Sequence, residues 1–140
     1  MDEKSEDDFS TIWTDEALDR LLAVGINAVC PGTLRNVDVT VEIEVLNAPP
    51  SVDLTKWDHA VEASINIPSG KLVVMGCTGY LPDSTRIAVK PGSYQLLSLA
   101  GGLETIKTEW ELADDLYRVY IWPGMSRTPN LIKRWQRGDA

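Results

Sequence analysis

The stretch VDVTVEIEVL at residues 37–46 places Val37, Val39, Val41, Ile43 and Val45 on one side and Asp38, Thr40, Glu42 and Glu44 on the other. A period of two is that of a strand with one face buried and one face wet, and β-branched residues at every inward position reinforce it. The chain is thereby committed to a sheet. The same stretch raises a functional question, because three carboxylates line the open face of one strand. Glu42 and Glu44 stand about 6.8 Å apart at two residues' rise.

The rest of the chain reads in the same way. IWTDEALDRLLAVG carries an N-cap at Thr14, acids at Asp15 and Glu16 where the helix dipole favours them, and Gly25 as a stop. Leu18, Leu21 and Leu22 supply one apolar stripe, so a short amphipathic helix is expected. INAVCPG is a short extended piece halted by Pro31 and Gly32. NAPPSVDLTKWD is a loop, since its paired prolines forbid a ladder. HAVEASINI alternates again and, through a turn at Pro68 to Gly70, is expected to form a hairpin with KLVVMGC. TRIAVKPGSYQLLSLAGGL gives two apolar runs about Pro91-Gly92, and DLYRVYIWP is a last strand stopped by Pro123 and Gly124. ETIKTEWELADD has no clear period. The expected fold is mainly β, an antiparallel β-sandwich with one short N-terminal helix.

At 140 residues the chain is the size of one domain. Residues 1–12 are expected to be a disordered acidic leader, because MDEKSEDDFS has too little apolar surface to bury, and 13–140 a single domain with a basic C-terminal segment. The formal net charge is −8. The first eight residues hold five acids and one Lys, and the last fifteen hold four bases and one acid. Fifteen acids and eight bases remain between Phe9 and Met125, so the acidity belongs to the body of the chain. Such a surface argues against direct contact with nucleic acid or an anionic membrane and suits a basic protein partner. No signal peptide is read at the start and no apolar run approaches the roughly 18 residues of a membrane span, which points to the cytoplasm. Cys30 and Cys77 are far apart and outside any CxxC, so two thiols are expected rather than a bridge.

Catalytic constellations are weak. His59 is the sole histidine; its neighbour Asp58 would point to the opposite face of a strand, and the cysteines lack ligand spacing, so no metal site is expected. No GxSxG elbow accompanies a serine, and GGLE at Gly101 lacks the strand-to-helix context of a phosphate cradle. Glu42 and Glu44, without apolar shielding, would both stay ionised and so do not form an acid and base pair. No cofactor is implied. Of the five tryptophans, Trp122 and Trp13 read as core, and Trp110, among acids in an irregular segment, is the best exposed anchor. The acidic row has a bland reading, a solvated face whose like charges discourage edge pairing. Against it, Lys or Thr would solubilise the strand without the repulsion. A row of fixed negative charges also imitates a phosphate backbone and would fit a basic nuclease cleft.

WTDEA at Trp13 to Ala17, its distance to Arg35-Asn36, the alternating strand that follows, and KPGSYQLLS at Lys90 to Ser98 together resemble the competence protein J family, the small inhibitor of the bacterial DNA-entry nuclease. The resemblance covers somewhat more than a quarter of the chain. NAPPSVDLTKW, ETIKTEWELADD and the segment after Met125 have no counterpart in it. It implies a cytosolic inhibitor that binds a basic nuclease by protein contact and has no catalysis of its own.

The expected function is therefore non-enzymatic binding of a cognate nuclease or related protein, as inhibitor or immunity-type partner, through Asp38, Glu42, Glu44 and Trp110. Two other classes stay open: a β-sandwich binding a small ligand such as a carbohydrate through Trp110 and Tyr80, and a structural protein that associates with itself. The first predicts ligand-induced quenching of tryptophan fluorescence; the second predicts a concentration-dependent homo-oligomer.

Overall fold

A computed structural model describes residues 1–8, 11–32, 41–74, 85–107 and 113–135. It is mainly β. Helix α1 (Asp15–Arg20) is followed by β1 (Leu22–Val24), β2 (Val29–Pro31), β3 (Val41–Val45), β4 (His59–Ile67), β5 (Lys71–Val74), β6 (Thr85–Ala88), β7 (Gly92–Gly101), β8 (Leu116–Pro123) and β9 (Asn130–Lys133). Single 3-10 turns at Leu54–Lys56 and Leu103–Thr105 interrupt the loops.

The central element is an open five-stranded sheet in the order β3-β8-β7-β4-β9, accompanied by two two-stranded antiparallel sheets, β1-β2 and β5-β6. The expected all-antiparallel pairing does not hold throughout, because β3 runs parallel to β8. β4 and β7 pair over nine residues, from His59 opposite Ala100 to Ile67 opposite Gly92. On one face Val61, Ala63, Ile65, Ile67, Tyr94, Leu96, Val119 and Ile121 form the main core, joined by Leu22 of β1 and Leu72 of β5. The two small sheets therefore cover this side. The opposite face buries Ala60, Leu97, Leu99 and Trp122 beneath Leu46, Val52, Leu54 and Trp57 of the connection between β3 and β4. Ala60 is small enough to let that second layer approach and is fully buried.

The helix is shorter than its sequence suggests. Thr14 caps it as expected, its hydroxyl accepting the Ala17 N–H at 3.2 Å. It ends at Leu21 rather than Gly25: Leu21 takes the left-handed conformation at φ 55° and its N–H reaches back to Ala17 and Leu18. Leu22 then starts a strand and is fully buried, while Leu18 is 60 % exposed, so the expected leucine stripe is not one buried face. Gly25 has another use. A Cβ there would collide with the Asp7 carboxylate, which accepts the N–H groups of Ile26 at 2.7 Å and Asn27 at 2.9 Å in the β1-β2 turn.

That contact also places the leader, for which disorder was expected: residues 1–8 lie against the fold. Asp2 is fully buried and bridges Leu72. Its carboxylate accepts the Ser69 hydroxyl at 2.6 Å, the Ser69 N–H at 3.0 Å and the Lys4 N–H at 2.9 Å. Burial opposes the ionised form of Asp2, but these hydrogen bonds outweigh it and hold its pKa below the ordinary carboxylate value. Asp2 and Asp7 act as acceptors for turn amides, a use that hydropathy alone does not register.

Two further expectations are corrected. Ile67 and Gly70 do close a turn, with Gly70 at φ +72°, but β5 does not return along β4. It leaves the sheet to pair β6, placing Leu72 over the core, while β4 takes β7 and β9 as its neighbours. DLYRVYIWP is not the last strand either. The basic segment after Met125 contains β9, which pairs β4 with a register shift at Ala60/Val61.

Candidate functional site

Strand β3 lies at one end of the central sheet with Glu42 and Glu44 exposed on the same face. Val41 is 39 % exposed, whereas Ile43 and Val45 are half-buried against the core. The parallel register sets Glu42 beside Arg118 and Glu44 beside Tyr120 of β8. Arg118 donates to the Glu42 carboxylate and, at 3.1 Å, to the Tyr120 hydroxyl. Its guanidinium lies 5.8 Å from the centre of the Tyr120 ring. The hydrogen bond with Glu42, followed by that with Tyr120, raises the Arg118 pKa further above its ordinary value. Glu42 is thus neutralised within its own sheet. Glu44 has no ion-pair partner among the described residues.

Of the other sequence-derived candidates, Asp38 and Trp110 lie outside the described residues, as do Tyr80 and Cys77. The structure thus brings together only Glu42 and Glu44 of the proposed binding set. Trp57 packs on the Leu97 and Leu99 cluster, with its ring over Gly101, and Trp122 is 6 % exposed. Cys30 is half-buried in β2. Among the described residues no group of three His, Cys, Asp or Glu side chains is arranged to hold a metal ion. Nor is any described helix long and apolar enough to cross a membrane.

His59 is a buried structural group. Its Nε2 lies 2.6 Å from the Arg20 carbonyl and its Nδ1 3.1 Å from the Trp135 backbone N–H. Asp58 points elsewhere, its carboxylate accepting the Leu103 N–H at 2.9 Å. The pair expected to diverge does diverge, and each side chain ties a different segment to the start of β4.

A feature that sequence reading missed is a cleft of about 480 Å³ on the sheet face opposite the main core, at the β9 end. Glu62, Gln95 and Trp122 line it from three strands, Arg127 from the connection into β9 and Asn130 from the first position of β9. The available signal was Glu62, the one acid in HAVEASINI. Gln95 and the stretch from Trp122 to Asn130 lie far from Glu62 in sequence and are brought to it through the pairing of β4, β7, β8 and β9.

Comparison with known protein families, curated proteins and solved structures gave no match.

Proposed function

We propose that the chain is a non-enzymatic protein-binding module that takes a basic partner along β3. The observation that carries this reading is Glu44, an exposed carboxylate without a counter-ion among the described residues, beside Glu42 on a terminal strand of the sheet. A strand at the end of a sheet is a natural place for another chain to approach, and fixed charge on it selects partners by sign. The excess of acids over bases in the chain favours the same partner.

The finer assignment, an inhibitor or immunity-type partner of a basic nuclease acting in the cytoplasm, draws on the resemblance at Trp13–Ala17 and Lys90–Ser98. The first segment caps and opens α1, and the second leads into β7. In this reading the five-stranded sheet and its two hairpins are a sandwich-like scaffold for β3, and Asp38 and Trp110 extend the contact surface.

The test is a pull-down from lysate at low and high salt with wild type and Glu44→Lys. Glu44 is the better position to reverse, since reversing Glu42 would also strip Arg118 of its partner. Recovery of a basic nuclease that elutes with salt and is lost from Glu44→Lys supports the proposal. Identical recovery by both proteins at both salt concentrations removes β3 from the interface.

A further inference from the structure

The cleft opposite the main core is built rather than incidental. Ser64, Gln95 and Trp122 form one row across β4, β7 and β8, and Glu62 stands in the next row on the same face. The segment between β8 and β9 crosses them and is tied at three points. Gly124 donates its N–H to the Ser93 carbonyl at 3.2 Å, Gln95 donates to the Met125 carbonyl at 3.1 Å, and Arg127 donates its backbone N–H to the buried Ser64 hydroxyl at 2.7 Å. A Cβ at Gly124 would come within 2.8 Å of the Gln95 side chain, so the strap rests directly on the floor. These ties hold the wall at a fixed height, leaving a volume in the range of small-molecule sites.

Two charges of opposite sign line this space unused. Arg20, Arg86, Arg118 and Arg134 each donate to a carbonyl or a carboxylate. The Arg127 guanidinium has no such partner among the described residues. Neither does the carboxylate of Glu62, which is half-buried in the middle of a strand paired on both sides. A carboxylate at such a position is screened less than one in open water and attracts a cation that enters the cleft. Asn130, opposite Glu62 in the β9 register, adds a side-chain amide.

We propose that this cleft binds a small zwitterion of the amino-acid type. The ligand's ammonium meets Glu62 and the Asn130 carbonyl oxygen, its carboxylate takes the fork of Arg127, and its apolar part lies against the Trp122 indole. The charge pair selects for both ligand groups at once. A plain anion such as phosphate meets repulsion from Glu62, a plain amine meets repulsion from Arg127, and a neutral sugar leaves both charges unpaired. The site is separate from β3 and does not depend on the partner proposed there.

The experiment is calorimetric titration of the full chain with each of the twenty free L-amino acids, with glucose and inorganic phosphate as comparison ligands. The best amino acid is then repeated as its N-acetyl and amide derivatives. Saturable binding of at least one amino acid is expected, weakened about tenfold or more in both derivatives and in both Glu62→Gln and Arg127→Gln, as for loss of a charge-assisted hydrogen bond. Arg127 is exposed, so its replacement should leave the melting temperature nearly unchanged. The proposal is overturned by failure of every amino acid to bind at millimolar concentration, or by preferential binding of glucose or phosphate. Retention of full affinity in either derivative or in the Arg127 variant overturns it equally.

Discussion

The Nδ1 of His59 accepts the backbone N–H of Trp135 at 3.1 Å, joining the first residue of β4 to the segment that follows β9. Since Nδ1 must then be unprotonated, Nε2 carries the hydrogen and donates it to the Arg20 carbonyl at 2.6 Å. The ring is neutral in the fold, and a second proton would set one N–H against another.

A pH dependence with a definite sign follows. Burial lowers the His59 pKa from its ordinary 6.5, with the hydrogen bond to Arg20 offsetting part of the effect. The unfolded chain therefore takes up the proton first. The contribution of His59 to stability is fully present above about pH 6.5 and is lost as pH falls from there through the lower folded value. Chemical denaturation of wild type between pH 7.5 and 5 should give a falling midpoint, and His59→Gln should be flatter over that interval. Equal slopes in the two proteins would mean that the imidazole is not held neutral.

The leader has its own window. Asp2 and Asp7 are both held below the usual carboxylate range: burial opposes ionisation, and hydrogen bonds from Ser69 and Lys4 to Asp2, and from Ser5, Asn27 and Ile26 to Asp7, overcome it. Groups with depressed folded values stabilise above their unfolded pKa and lose that contribution as pH falls, here below about pH 4. Asp2→Ala should cost about 2 kcal/mol at neutral pH, because the Ser69 N–H and hydroxyl lose a charged acceptor in a buried place. Urea denaturation measures it. A change within about 0.5 kcal/mol would put Asp2 with ordinary surface sites.

What the sequence disclosed and what it withheld divide along physical lines. Alternation in VEIEV and HAVEASINI and the cap at Thr14 are local patterns with a period or a fixed offset, and each appears where it was expected. Partner choice is not local. The turn at Gly70 reads equally well as a hairpin or as a departure, and only the nine-residue match of β4 to β7 decides between them. β9 was hidden by its brevity and by surrounding basic residues, and Leu131 alone shows its inward side in the core. The side-by-side placement of Glu42 and Glu44 was legible, but the pairing of Glu42 was not, since Arg118 lies 76 positions away.

That pairing is open to a double-mutant cycle. The side chains of Arg118 and Glu42 are 36 % and 59 % exposed, so solvent screens their attraction despite direct contact. Glu42→Gln, Arg118→Gln and the double variant should give a coupling no larger than that of an ordinary exposed ion pair by urea denaturation, shrinking further in high salt. A coupling several times larger would make Glu42 a structural residue and leave Glu44 to carry the interface alone.

Gly25 and Asp7 make the sharpest coupled pair. A methyl at Gly25 occupies the place of the Asp7 carboxylate, which is held by the N–H groups of Ile26 and Asn27 and can yield only by leaving them. Gly25→Ala should therefore expel the carboxylate and forfeit both charge-assisted hydrogen bonds, costing about 2 kcal/mol. In the background of Asp7→Ala only the Cβ of residue 7 stays close, at 3.1 Å, and the carboxylate contacts are gone, so the same Gly25→Ala change should cost well under half of its wild-type value. The four urea midpoints of this cycle distinguish a glycine kept for the close approach of a side chain from one kept for its own backbone freedom. Under the second alternative Gly25→Ala would cost the same with or without Asp7, and the leader would have no part in fixing the β1-β2 turn.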